Sequence, residues 1–468
     1  MSYDYPSSKL TRSQKAIFGF QHMVAMFGAT ILVAILVNGY FGGEIDIGQI
    51  TLLCAGLGTL LFHAVTRGKV PAFLGSSFAF LGGFATIAEL NTGKYANMSY
   101  AEKFPYACGG IIVAGLLYLV LAGLIKLVGV KKVMRFFPPV VTGPIIICIG
   151  LSLLPSAIAN CRVNWVLAIL VLGLVIYFNV WGKGMSKIIA ILLAVTLSYV
   201  VAAIGHSFGW VNPDGSAVIN TAAISGASLI GLPKFTFAKF DLPSILVMAP
   251  IAIATMMEHV GDISAISATV GSNFIEDPGL HRTLLGDGLA TALAGLIGGP
   301  ANTTYGENTG VLALSKVYDP VVIRIAALYA VILGFIPKLA GVFTAMPTAI
   351  IGGISLMLYG MISAIGVRNM VENRVNLLNS RNLIVVAMIM AAGLGGLTIT
   401  FTIGGTPMTI TSLALAAIVG VIMNAILPGK DYEFGVRPEG DIHRGVSFND
   451  PPQSPNSQKG RHIYGGMM

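Results

Sequence analysis

The stretch Pro300-Ala-Asn-Thr-Thr-Tyr-Gly-Glu307-Asn-Thr-Gly310 sits between two long apolar runs, where a soluble loop would be out of place. It sets a carboxylate, two amides, hydroxyls and several helix-unfriendly residues at what reads as membrane depth. Irregular backbone survives inside a bilayer only where protein or a water-filled cavity satisfies its polar groups. A carboxylate there costs roughly 2.5–3.5 kcal/mol on insertion scales and marks a functional site by default. The chain is therefore expected to hold something polar in the middle of a membrane.

Composition points the same way. Of 468 residues, 55% are hydrophobic and 10% charged, and the mean hydropathy is +0.81. A soluble chain carries about 25% charged residues. The 57 glycines suit close helix packing and broken helices. Cys54, Cys108, Cys148 and Cys161 lie in or beside apolar runs without metal-ligand spacing, so neither a disulfide framework nor a zinc site is expected. Residues 1–15 are polar and basic and lack the pattern of a cleaved signal peptide.

Apolar runs of about twenty residues give fourteen candidate segments. They lie near 15–38, 48–66, 71–88, 105–128, 137–155, 163–181, 187–205, 243–264, 283–299, 301–317, 322–342, 346–366, 381–401 and 408–427. The third and tenth are weak by hydropathy alone, so the parity of the count rests on them. Lys and Arg supply a check. With the N-terminus inside, 22 fall on the inner side and 6 on the outer, and without the tails the ratio is still 14 to 6. This asymmetry places both termini in the cytoplasm of a multi-pass inner or plasma membrane protein. It also accounts for the net charge of +8 without nucleic acid as a partner.

Weak internal symmetry divides the chain into seven plus seven. Phe137-Pro-Pro-Val-Val-Thr-Gly143 parallels Met346-Pro-Thr-Ala-Ile-Ile-Gly352, and Gln21-His22 parallels Glu258-His259. The polar-interrupted third segment, Pro71-Ala-Phe-Leu-Gly-Ser-Ser-Phe78-Ala-Phe80, parallels the tenth. An odd number of spans per half forces opposite orientations, the inverted-repeat plan of secondary transporters. Interrupted segments in matching positions then point to the binding site.

Segment eight contains Glu258 and Asp262 at i and i+4, so both carboxylates lie on one helical face. Two acids on a membrane helix are costly as mere packing, although their nearness to a cytoplasmic end offers an alternative. His259 is one step off that face, and serves equally as a packing histidine or a ligand. Glu307 follows Tyr305-Gly306, whose glycine allows close approach to the backbone. A helix starting near Asn308 would add a positive dipole end. Phe78 offers a flat face to a planar ligand, or simply packs. His63 and His281 read as interfacial residues. No phosphate loop, metalloprotease helix or nucleophile elbow occurs in an accessible context, which argues against an enzyme.

These motifs resemble the nucleobase–cation symporter-2, or nucleobase–ascorbate transporter, family, and specifically its bacterial uracil permeases. The resemblance runs from Gln21-His22-Met-Val-Ala-Met-Phe-Gly-Ala to about Leu427. It is carried by Pro71–Phe80, Glu258-His-Val-Gly261, Asp277-Pro-Gly-Leu-His-Arg282 and Asn302-Thr-Thr-Tyr-Gly-Glu-Asn308. The family signature runs from an acid or amide through Asn-x-Gly to a Thr and a small or basic residue. It matches Glu307-Asn308-Thr309-Gly310 through Ser315-Lys316, with Ser315 in place of Thr.

The resemblance implies an all-α polytopic protein of fourteen spans in two inverted seven-segment repeats, with short strands in segments 3 and 10. It implies a core domain at 15–128 and 243–342 and a gate domain at 129–205 and 343–428. Outside these lie a cytoplasmic N-tail (1–14), an external connection (206–242) and a disordered cytoplasmic tail (429–468). Glu258 and Glu307 would hydrogen-bond the nucleobase, with Phe78, Tyr305 and Gly306 lining the site and Gln21, His22, His259 and Asn308 in support. Some uracil permeases have histidine where this chain has Asp262. Asp262, with Glu258, is accordingly expected to carry a coupled proton. The implied activity is proton-coupled uracil import by alternating access, with no cofactor beyond the proton, in a lipid-embedded homodimer formed through the gate domain. A xanthine or urate permease of the same family, or an anion transporter of the related fourteen-span fold, are the alternatives.

Overall fold

Caps and helix breakers divide the apolar runs into elements with sharply defined ends in the computed structural model, which describes residues 10–91, 93–219, 225–226, 228–403 and 406–429. Residues 1–9 of the predicted N-tail and 430–468 of the predicted C-tail lie outside the described residues. Helix α1 (Arg12–Tyr40) starts on a capping box: Gln14 N–H donates to Thr11 Oγ1 at 3.3 Å, and Thr11 N–H donates to Gln14 Oε1 at 2.9 Å. Helix α2 (Gly48–Val65) leads to a three-residue strand, β1 (Leu74–Ser76), a 3₁₀ turn at Phe78–Phe80, and α3 (Leu81–Glu89). Helix α4 (Tyr100–Val128) opens on a second capping box, Ser99 with Glu102. Proline at the first helical position begins α5 (Pro139–Arg162), and α6 (Trp165–Val180) and α7 (Ala190–Ser207) follow.

Helices α8 (Leu242–Met248) and α9 (Ile251–Val270) make one apolar span interrupted at Pro250. Helix α9 stops at Gly271, whose φ of +76° suits the left-handed cap. Helix α10 (Leu280–Ile297) leads into strand β2 (Asn302–Thr304) and the short α11 (Gly306–Ser315). Then come α12 (Pro320–Leu333), α13 (Thr348–Glu372), α14 (Ser380–Leu394), a hairpin of β3 (Ile399–Ile403) and β4 (Thr406–Ile410), and α15 (Ser412–Ile426). Among the described residues, seven helices are long and apolar enough to cross a membrane, and five shorter apolar helices accompany them. The predicted run 381–401 is not one helix: α14 ends before Gly395-Gly396, Gly396 takes φ +70°, and a threonine-rich hairpin follows.

Helix packing separates two groups. Helices α1, α2 and α4 pack on α8, α10 and α12, and α5 and α6 pack on α13, with α14 and α15 beside α5. Small residues bring helices of each group close. A Cβ on Gly115 of α4 would lie 2.6 Å from the Gly288 carbonyl of α10, and one on Gly366 of α13 would lie 2.6 Å from the Gly143 carbonyl of α5. The groups meet where α9 touches α5 and α15 and where α1 touches α7.

Strands β1 and β2 pair antiparallel with Leu74 opposite Thr304, Gly75 opposite Thr303 and Ser76 opposite Asn302. The pairing is extended by Ser77 N–H to Ala301 O (2.8 Å) and Tyr305 N–H to Phe73 O (3.0 Å). Every residue of both strands is buried. Each interruption therefore satisfies the backbone of the other, which is what irregular chain at membrane depth requires.

Candidate functional site

Behind each strand a helix begins, so the β1–β2 crossing is flanked by two helix starts. Tyr305 caps α11 in extended conformation without a side-chain hydrogen bond, as Ser77 does for the Phe78–Phe80 turn. The first-turn N–H groups of such helices lack intrahelical acceptors and are free to bind a ligand. Helix α9 packs against β2, the Phe78 turn and α11 together.

That packing brings three predicted carboxylates together. Glu258 and Asp262 of α9 and Glu307 of α11 lie close enough to feel one another's charge. All three side chains are half-buried, so each retains some accessible surface. Thr304 Oγ1 donates to Asp262 Oδ2 at 2.6 Å and ties that carboxylate to β2. Phe78 is half-buried at the start of its turn, and Gly306 is exposed at the first position of α11.

Tyr305 is almost fully buried and braces the crossing: its hydroxyl donates to the Ser76 carbonyl at 2.9 Å and receives a 3.2 Å hydrogen bond from Thr30 of α1. A Cβ on Gly75 would run into its ring, which is why glycine stands there. Asn308 and His22 join α11 to α1: the Asn308 amide donates to the His22 carbonyl at 3.0 Å and lies 3.2 Å from His22 Nδ1. Gln21 is half-buried on α1 and makes no side-chain hydrogen bond among the described residues.

His259 turns away from the carboxylate face. Its Nδ1 lies 2.9 Å from Asp287 Oδ2 of α10, and both side chains are wholly buried. The contact is a charge pair when His259 carries protons on both ring nitrogens. Asp287 is the functional candidate that motif reading missed. It was visible as an acid inside the apolar run 283–299, by the same cost argument that singled out Glu258. His63, in the last turn of α2, is 2% exposed and turned into the protein, its Nε2 lying 3.0 Å from the Ala72 carbonyl just before β1. The four cysteines are free and buried.

The permease-family model matches residues 13–402. The chain is 37% identical over 436 residues to a uracil permease of Bacillus caldolyticus, covering 90% of this chain and 93% of that one. It is 38% identical over 419 residues to a uracil permease of Bacillus subtilis (strain 168), covering 88% and 92%. The chain belongs to the nucleobase–ascorbate transporter family. A further member, a putative pyrimidine permease, RutG, of Escherichia coli (strain K12), is 37% identical over 434 residues, covering 91% and 92%. As a nucleobase–ascorbate transporter, the chain is a multi-pass membrane permease. Its fold is shared with the transmembrane domain of a cyanobacterium bicarbonate transporter, BicA, at a TM-score of 0.60 and 16% identity, covering 89% of this chain and 98% of that one. The murine Slc26a9 anion transporter in the inward-facing state gives 0.63 and 11%, covering 89% and 68%.

Proposed function

We propose that this permease is a proton-coupled uracil importer, a uracil:H⁺ symporter working by alternating access. The observation that carries the reading is the convergence of Glu258, Asp262 and Glu307 beside the β1–β2 crossing and the open start of α11. Uracil displays N–H donors and carbonyl acceptors along one edge. Carboxylates of Glu258 and Glu307 suit the donors, and first-turn N–H groups near Gly306 suit the carbonyls. Phe78 offers a ring face to the planar base, and Tyr305 holds the crossing in shape. A site built on such pairing rejects analogues that leave its buried polar groups unpaired. The uracil and pyrimidine permeases among the relatives favour this substrate class. Two or more carboxylates suit a donor-rich base better than an anion, which wants helix N-termini and basic groups.

Asp262 takes the role of proton carrier in this reading, with Glu258 beside it. The two packing groups supply the moving parts: α1–α4 with α8–α12 as the core, and α5–α7 with α13–α15 as the gate. Fourteen spans in two inverted halves, with both termini cytoplasmic and a homodimer formed through the gate, complete the proposal. Equilibrium binding of radiolabelled uracil to purified protein tests the site. Saturable binding that xanthine does not compete, and that Glu258→Ala and Glu307→Ala each abolish, is expected. Binding that survives both substitutions would overturn the assignment.

A further inference from the structure

A crevice of about 520 Å³ lies between the C-terminal end of α1, the end of α5 and the beginning of α13, the seam between the two packing groups. Ligand sites commonly occupy roughly 300–1,000 Å³ and combine apolar walls with a few polar groups. Here Ile31 and Ile351 supply apolar wall, and Asn38, Tyr40, Ser156 and Asn160 supply amides and hydroxyls. The Asn38 carboxamide oxygen is buried without a hydrogen-bond partner among the described residues. A buried acceptor left without a partner is costly, and calls for a water or a ligand donor.

The crevice also leads somewhere. It follows α1 from Tyr40 to Ile31, about 14 Å at the rise of a helix. Ile31 is next to Thr30, whose hydroxyl bonds Tyr305 at the strand crossing. Its deep end therefore reaches, along α1, the level of the Thr30–Tyr305 hydrogen bond.

We infer that this crevice is a second, entry-side site that binds the lactam edge of a nucleobase on its way to the carboxylate site. A lactam sets an N–H beside a C=O, and an Asn carboxamide sets a C=O beside an NH₂, so the two pair through two hydrogen bonds. Asn160 offers that edge, Asn38 offers it once its side chain rotates and brings the buried oxygen into the crevice, and Ile31 and Ile351 cover the ring faces. The space is several times larger than one pyrimidine, so occupancy is weak and brief, as entry requires. The inference rests on the nucleobase-permease reading and on the topology that puts the end of α1 outside.

The test is protection of a cysteine placed in the crevice. Ser156→Cys is labelled in intact cells with a membrane-impermeant maleimide, with or without excess uracil; Ala159→Cys, in the same wall, replaces it if the first variant fails to fold. The four native cysteines are buried and give little background. Uracil is expected to slow labelling severalfold, and still to do so when Glu307→Ala has removed the deep site. Half-protection should then need roughly tenfold more uracil than half-saturates wild-type uptake. Adding Asn38→Leu should abolish the remaining protection. Loss of protection with Glu307→Ala alone would overturn the inference, because protection would then report a conformational change driven from the deep site. Labelling only by a permeant maleimide would overturn it too, by placing the crevice on the inner face. Uracil uptake by the wild type with no protection at all defeats the entry site and spares the proposed function; absence of both uptake and protection defeats both.

Discussion

Asp262 is hydrogen-bonded to Thr304 of β2, whereas Glu258, one turn away on the same face, has no such tether among the described residues. On the proposed reading that difference gives them different work: Glu258 is free to meet a ligand, and Asp262 passes its protonation to the strand pair. Asp262→Asn is therefore expected to leave uracil binding largely intact while removing the dependence of uptake on external pH. Uptake measured across a pH series checks this, and full retention of the wild-type profile would reject Asp262 as the carrier. Glu307→Gln replaces a charged acceptor by a neutral one and should weaken uracil binding by about 1.5–3 kcal/mol, measurable by calorimetry. His259→Ala strands Asp287 as a buried, unpaired carboxylate and should cost about 3–5 kcal/mol of stability, visible as a lower Tm in detergent. An unchanged Tm would mean the 2.9 Å contact is not an ion pair of consequence. At this scale the sequence exposed the acids by their cost in an apolar run. It did not show which faced one another, because the His259–Asp287 contact joins two separate helices.

The decisive element is the pairing of β1 with β2, two strands of three residues each, more than two hundred positions apart. Both interruptions were legible as polar, glycine-bearing breaks in apolar segments. Their mutual pairing and register were not, since three residues are too few to show a strand period and the partner is non-local. The resemblance to a family, rather than periodicity, supplied the expectation of strands. Tyr305 shows why the break is spelled as it is: its ring fills the space left by Gly75, and its hydroxyl closes on Ser76 and Thr30. Gly75→Ala forces the ring aside and should cost about 1–3 kcal/mol, as overpacking does. Because the same residue braces the crossing, uracil affinity should fall with stability, and a variant with wild-type affinity would argue that Tyr305 plays no part in shaping the site. The hairpin after α14 marks the opposite limit. Its hydropathy passes for a span, and only the paired glycines and threonines that follow betray the turn to strand.

Across the whole molecule, transport by alternating access needs the two packing groups to move against each other, and their contact between α1 and α7 offers a way to stop them. A Cβ on Gly28 of α1 would lie 4.0 Å from the Cβ of Ile191 on α7. That is within the Cβ separation of about 3.5–4.5 Å that a disulfide accepts. Gly28→Cys with Ile191→Cys should therefore crosslink on oxidation, keep uracil binding and lose uptake, with recovery on reduction. Uptake undiminished in the crosslinked protein would contradict a core that moves past a gate. The division of the chain into these groups was an expectation of the family resemblance, since charge asymmetry and the seven-plus-seven motif pattern speak only to topology and to sequential halves; which helices touch across the seam was not legible at all. The most direct test of the central claim is radiolabelled uracil uptake into proteoliposomes, with and without an inward proton gradient, in competition with excess xanthine. The account predicts uptake driven by the gradient and unaffected by xanthine. Uptake indifferent to the gradient, or abolished by xanthine, would contradict it.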